Sequence, residues 1–255
     1  MNKIIRYVFA DLLRNKTIIV YTILLLALSI AVYSMEDNYE KGLVSLLNIV
    51  LFIVPLVSIV FSSIYLYNSV EFINLLASQP LKRTNIWLSI FGGLAGILSL
   101  SFLIGVGVPT FIYAFSSSGL ILVGCGFLLS IIFVSIAMWT AVMIRDKAKG
   151  IGLAIMLWIY FSLLFDALVL FMLFQFSDYP IENLMVGLSM LNPIDISRIL
   201  ILLQLDLSAM MGYTGAIFRD FFGNGIGIAI TLTNMLLWCI IPLWLSVRHF
   251  KKKDL

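Results

Sequence analysis

Six stretches of this chain are continuously apolar for eighteen or more residues, at roughly residues 17–34, 43–67, 86–115, 119–144, 150–176 and 225–247. A helix rises about 1.5 Å per residue, so about 20 apolar residues cross a hydrocarbon layer of about 30 Å. Inside that layer every backbone polar group needs an internal partner, which leaves helices and closed barrels as spanning structures. Barrel strands alternate apolar and polar side chains, and these runs do not. The reading is therefore an all-α, polytopic membrane protein with six transmembrane helices. Only 11% of residues are charged, against about a quarter in a soluble domain.

The cations are distributed unevenly between the spans. With the N-terminus inside, thirteen of the sixteen Lys and Arg fall on the inner side: Lys3, Arg6, Arg14, Lys16, Lys82, Arg83, Arg145, Lys147, Lys149, Arg248, Lys251, Lys252 and Lys253. Lys41, Arg198 and Arg219 remain outside. That bias predicts a multi-pass protein of the cytoplasmic (inner) membrane with both termini cytoplasmic. It also accounts for the net charge of +3 without nucleic-acid binding. The first apolar run is longer than a signal-peptide core and is followed by "SIAVYSMED", a poor cleavage match, so it is read as a retained span. Cys125 and Cys239 lie within spans and far apart in sequence, where small apolar packing is expected of them.

Before the first span, Ile4, Ile5, Val8, Phe9, Leu12 and Leu13 recur at helical spacing opposite Lys3, Arg6 and Arg14. This pattern predicts an amphipathic interfacial helix over 1–16. Between spans two and three, "NSVEFINLLASQPLKRT" predicts a short cytoplasmic helix at 71–78 with Phe72, Leu75 and Leu76 on one side, ended by Pro80. Leucines exposed on so short a helix call for a surface to cover them, either the protein's own inner face or a cytoplasmic partner. In span three, Gly92 and Gly96 allow a close helix approach, and Pro109 kinks the far end.

Asp166, in "YFSLLFDALVLF", is the one formally charged residue within a span. Carboxylates at membrane depth are costly, so both a structural lock and a functional path are open readings. The loop 177–224 exceeds what a connection needs. In it, "LNPIDISRIL" has the marks of a helix start: Asn192 as N-cap, Pro193 in first position, Asp195 in third, with Leu191 and Ile196 placed as a hydrophobic staple. Arg198 follows Asp195 at ion-pair spacing. The expectation is a helix from 193 to about 210 and a second short one at "AIFRDFFG", both resting at the outer leaflet.

The sequence contains no phosphate-binding G-x-x-x-x-G-K-[ST] loop, and no His, Cys or carboxylate cluster at catalytic or metal-binding spacing. The methionines Met185, Met190, Met210 and Met211 follow no recognisable metal motif, although thioethers suit Cu(I).

Taken in order, these parts resemble the ABC type-2 permease family. The likeness covers nearly the whole chain, and "LLASQPLKR" is its coupling segment, with Glu71, Leu75, Leu76, Pro80 and Arg83 in the matching positions. Within the family, "LNPIDISRILIL", "LLFDALVL" and "AIFRDFFG" are similar to the permeases that serve nitrous oxide reductase maturation. The resemblance implies a non-enzymatic permease subunit that binds no cofactor itself and works as a homodimer among membrane lipids. ATP and Mg would be held by a separate cytoplasmic ATP-binding subunit, and a periplasmic protein would be held outside. Asn192, Pro193, Asp195, Arg198 and Arg219 would then face that outer partner, and the complex would serve copper-site assembly. A lipid, peptide or drug exporter of the same family is the alternative. A secondary transporter that needs no ATPase fits less well, because paired intramembrane charges and similar halves are missing.

Overall fold

The computed structural model describes residues 2–36, 38–176, 182–205 and 225–252, and among these every regular element is helical. A short helix α1 (Asn2–Leu13) precedes α2 (Lys16–Met35), α3 (Tyr39–Asn68), α4 (Val70–Ala77) and α5 (Arg83–Phe102). A π turn (Leu103–Gly107) joins α5 to α6 (Val108–Tyr113), and α7 (Ser117–Met143) follows. A second π turn (Tyr160–Leu164) joins α8 (Lys147–Ile159) to α9 (Phe165–Gln175). The chain ends with α10 (Glu182–Ser189), α11 (Pro193–Gln204) and α12 (Gly225–Lys252).

Among the described residues, six helices are long and apolar enough to cross a membrane: Lys16–Met35, Tyr39–Asn68, Arg83–Tyr113, Ser117–Met143, Lys147–Met172 and Gly227–Lys252. Several begin at a polar residue that closes a free backbone N–H. Asn15 accepts from Thr17, Asn38 from Glu40, Ser116 from Gly119, and Asp146 from Lys149. Such caps satisfy the orphan donors of a helix start where the chain turns between spans.

The three middle spans form the core. α5 and α7 bury two thirds of their apolar windows (67% each) and α3 half (50%), whereas α2, the α8–α9 helix and α12 bury 22% or less. The outer faces of the peripheral helices are apolar, including Val20 and Ile23 on α2, Phe171 and Phe174 on α9, and Ile240 and Trp244 on α12. Such a surface is stable against lipid.

Helix α1 packs across α5, but not tightly on the expected pair: a Cβ would meet only ordinary contacts at Gly92 (3.9 Å to Ile5) and Gly96 (3.5 Å to Phe9), and the close approach falls on Gly93 between them. A Cβ at Gly93 would lie 2.5 Å from Val8 Cγ1, so only glycine admits this crossing. Where α5 gives way to α6, a Cβ at Gly105 would lie 2.6 Å from Leu25 Cβ. The π turn before Pro109 absorbs the missing proline N–H, so the kink expected from Pro109 is realised as a change of helical register.

The helix ends carrying the cations converge at one end of the bundle, called here the basic end. Lys147 Nζ donates to Asn68 Oδ1 (2.7 Å), the Tyr67 hydroxyl to Ile144 O (3.1 Å), and Trp87 Nε1 to Ser246 Oγ (2.7 Å). Trp87 also stacks on Phe250 with centroids 4.3 Å apart. These contacts tie α3, α5, α7, α8 and α12 together beside α4.

Candidate functional site: a basic-end helix and a mid-bundle hairpin

Helix α4 occupies the position expected of the coupling segment, but its side chains divide differently from the expectation. Ile73 is buried, Phe72 stacks on Tyr7 of α1 with centroids 5.3 Å apart, and Leu76 packs against the core. Leu75, with Glu71, is exposed, Leu75 by 67%. Phe72 and Leu76 are one helical turn apart and share the inward face, while Leu75 lies off that face. Of the two leucines, only Leu75 is presented outward. Pro80 is exposed in the turn beyond the helix, and Arg83 opens α5, where its guanidinium donates to the Lys251 carbonyl at the end of α12 (3.5 Å).

The second region is the α10–α11 hairpin, and here the expectation of helices resting at the outer leaflet is corrected. The turn "MLNP" between α10 and α11 lies among residues halfway along their spans: Phe161 in the α8–α9 helix and Trp238 in α12. From there α11 runs back towards the start of α7, where Ser118 Oγ donates to Gln204 O (3.0 Å). The hairpin is therefore re-entrant: it enters the bundle from the end opposite the basic one and turns round near the middle.

Backbone that is irregular at such depth must find partners inside the protein. The Met190 carbonyl accepts from Asn234 Nδ2 (2.8 Å) and Trp238 Nε1 (3.2 Å), both on α12. Asn192, fully buried, works in two directions. Its side-chain oxygen caps α11 by accepting from Ile194 N (3.0 Å), and its amide donates to the Phe161 carbonyl (2.8 Å) in the π turn. The π register shifts backbone pairing there, and Asn192 supplies the partner. Phe161 lies edge-on to Phe133 and Trp238, at 6.0 and 5.5 Å between centroids.

Two residues beyond the π segment, Asp166 accepts from Arg198 Nη1 at 2.6 Å, while Asp195 Oδ1 is 4.0 Å from the same nitrogen. The i,i+3 pair expected within α11 is thus the weaker one, and the strong pair joins α11 to the fifth span. This pair lines a cleft of about 330 Å³ with Asn48, Phe52 and Ser162.

The residues expected to face an outer partner therefore have different places. Asn192 and Pro193 are buried inside the bundle, Asp195 and Arg198 are partly covered in the cleft, and Arg219 lies outside the described residues. The buried end of α11 also replaces the expected staple. Ile196 is fully buried and Leu191 is 57% exposed, so the start of α11 is set by Asn192 instead. The second outer helix expected at "AIFRDFFG" lies outside the described residues as well. Asn234, Trp238 and Phe161 were not singled out in the sequence. The signal available was a lone Asn in the apolar run "TLTNMLLW".

A six-span helical bundle with a short helix at its basic end and a re-entrant hairpin before its last span defines a multi-pass membrane protein. The chain matches the family described as ABC-2 family transporter protein over residues 4–255, and it belongs to that family. Two relatives carry the name probable ABC transporter permease protein NosY. The one from Pseudomonas aeruginosa is 27% identical over 230 residues, 82% of this chain and 84% of the relative. The one from Stutzerimonas stutzeri is 27% identical over 274 aligned positions, 98% of this chain and 97% of the relative.

Proposed function

We propose that this permease couples ATP hydrolysis in a separate cytoplasmic subunit, similar to NosF, to conformational work on a periplasmic protein similar to NosD. It does so as a homodimer in the cytoplasmic membrane, in copper-site assembly of nitrous oxide reductase. The observation that carries the reading is α4: a short helix at the basic end, held by Ile73, Phe72 and Leu76, that leaves Leu75 uncovered. The basic end is the cytoplasmic one by the positive-inside rule, so α4 is available to an ATPase there. ATP and Mg stay in that subunit, and the permease contributes no catalytic residue. Closure of the ATPase would push α4, and through α5 and α12 the motion would reach the hairpin as movement of near-rigid elements.

The test is co-purification of a tagged chain from its native membranes, in which a nucleotide-binding subunit is expected. Its absence would sink the ATPase coupling. Copper content of nitrous oxide reductase from cells lacking the chain tests the rest: a normal copper load would remove the assembly role. One observation favours the exporter alternative, the cleft of about 330 Å³ that places the Asp166–Arg198 pair beside Leu51, Phe52 and Leu163. An amphipathic cargo suits such a lining, and ATP-driven movement of lipid or peptide in vesicles would support it.

A further inference from the structure

At the basic end, the ends of α7 and α12 leave an open hollow of about 340 Å³ lined by Val142, Met143, Arg145, His249 and Lys252. Among the described residues, the three polar side chains are all basic or imidazole, no carboxylate lines the hollow, and its floor is apolar. Two nearby cations are engaged elsewhere: Lys147 donates to Asn68, and Arg248 lies over Trp244, 5.5 Å from the ring centroid. His249 uses Nδ1 on the Leu245 carbonyl (2.8 Å), so Nε2 is the ring nitrogen left for another partner. Arg145 and Lys252 are exposed and make no hydrogen bond or ion pair among the described residues.

Depth decides what such a hollow would hold. Trp244 is 57% exposed on an apolar face that continues through Ile241, Ile240 and Leu237. An exposed tryptophan capped by an arginine marks the membrane–water boundary, and His249 and Lys252 follow five and eight residues later on the same helix. The cations therefore lie at head-group level, past the end of the apolar part of the span. From charge complementarity and this apolar floor, we infer that the α7–α12 hollow binds the phosphodiester head group of an anionic phospholipid, with Arg145, Lys252 and His249 around the phosphate. Basic hollows between spans on the cytoplasmic side suit such lipids, and each cation near the surface is worth about fivefold in binding.

The experiment is native mass spectrometry of the full chain, with any subunits it carries, after exchange into detergent with phosphatidylglycerol, with phosphatidylcholine, or with phosphatidylglycerol plus inorganic phosphate. Phosphatidylglycerol is expected to be retained over phosphatidylcholine, and millimolar phosphate should not displace it. The variant Arg145→Gln with Lys252→Gln should lose about 25-fold in retention, about fivefold per cation. Lys41→Gln, which removes a cation at the opposite end, should retain lipid as the parent does. Arg145→Lys with Lys252→Arg should also retain it, which separates loss of charge from misfolding. Equal retention of the two lipids overturns the inference, as does displacement by free phosphate. So does a double variant that keeps its lipid but loses a cytoplasmic protein partner, which would make the hollow a protein contact.

Discussion

Arg198 donates to Asp166 across 2.6 Å, although Asp195, on its own helix, stands only 4.0 Å from the same nitrogen. The choice has a consequence for the fold, because it spends α11's one cation on a different span. Removing either partner leaves a charge with reduced compensation near the bundle middle. Hydrogen bonds to charged groups contribute about 1.5–3 kcal/mol, and both side chains here are under a third exposed (30% and 28%). Arg198→Gln and Asp166→Asn are each expected to destabilise by that amount in detergent. The double variant should cost less than the two singles summed, as read from a thermal-denaturation cycle. Additive singles would mean that the pair has no energetic role.

Asn192 separates two functions in one side chain. Asn192→Ala removes a helix cap, worth about 0.5–2 kcal/mol, and strips the Phe161 carbonyl of its donor, at about 1–3 kcal/mol. Asn192→Ser keeps a capping oxygen but cannot reach the π turn as a capping acceptor and an amide donor at once, so an intermediate loss is expected. Proteolysis of the hairpin in folded protein is the readout, with susceptibility rising from parent to Ser to Ala. Equal behaviour of Ser and Ala would assign the whole effect to the Phe161 contact.

The spans were legible because apolar length alone decides them, and the caps Asn15, Asn38, Ser116 and Asp146 mark where they begin. The start of α11 was legible for the same local reason, since Asn192 and Pro193 specify a helix start wherever it sits. Its depth was not. A helix of twelve residues (Pro193–Gln204) is too short to span, and nothing local distinguishes one resting on a membrane from one folded back into a bundle. The partners that decide it are long-range: Asn234 and Trp238 for Met190, Phe161 for Asn192, and Asp166 for Arg198. The inward turn of Leu76 was hidden similarly. An eight-residue helix shows an apolar side, but which of its leucines it buries depends on α1 and α5 packed beside it.

That division of the leucines gives the sharpest test of the coupling reading. Leu75 is 67% exposed and Leu76 is packed against the core, so aspartate at the two positions should fail differently. Leu75→Asp places a charge in water, leaves the bundle's stability within about 0.5 kcal/mol of the parent, and should abolish recovery of the ATP-binding subunit. Leu76→Asp buries a carboxylate beside the core, so it should lower stability by several kcal/mol and lose the subunit through unfolding. Measuring both melting temperature and co-purification in each variant separates the outcomes. A folded Leu75→Asp protein that still brings down the subunit would remove α4 from the interface. The ATPase contact would then have to be sought elsewhere on the basic end.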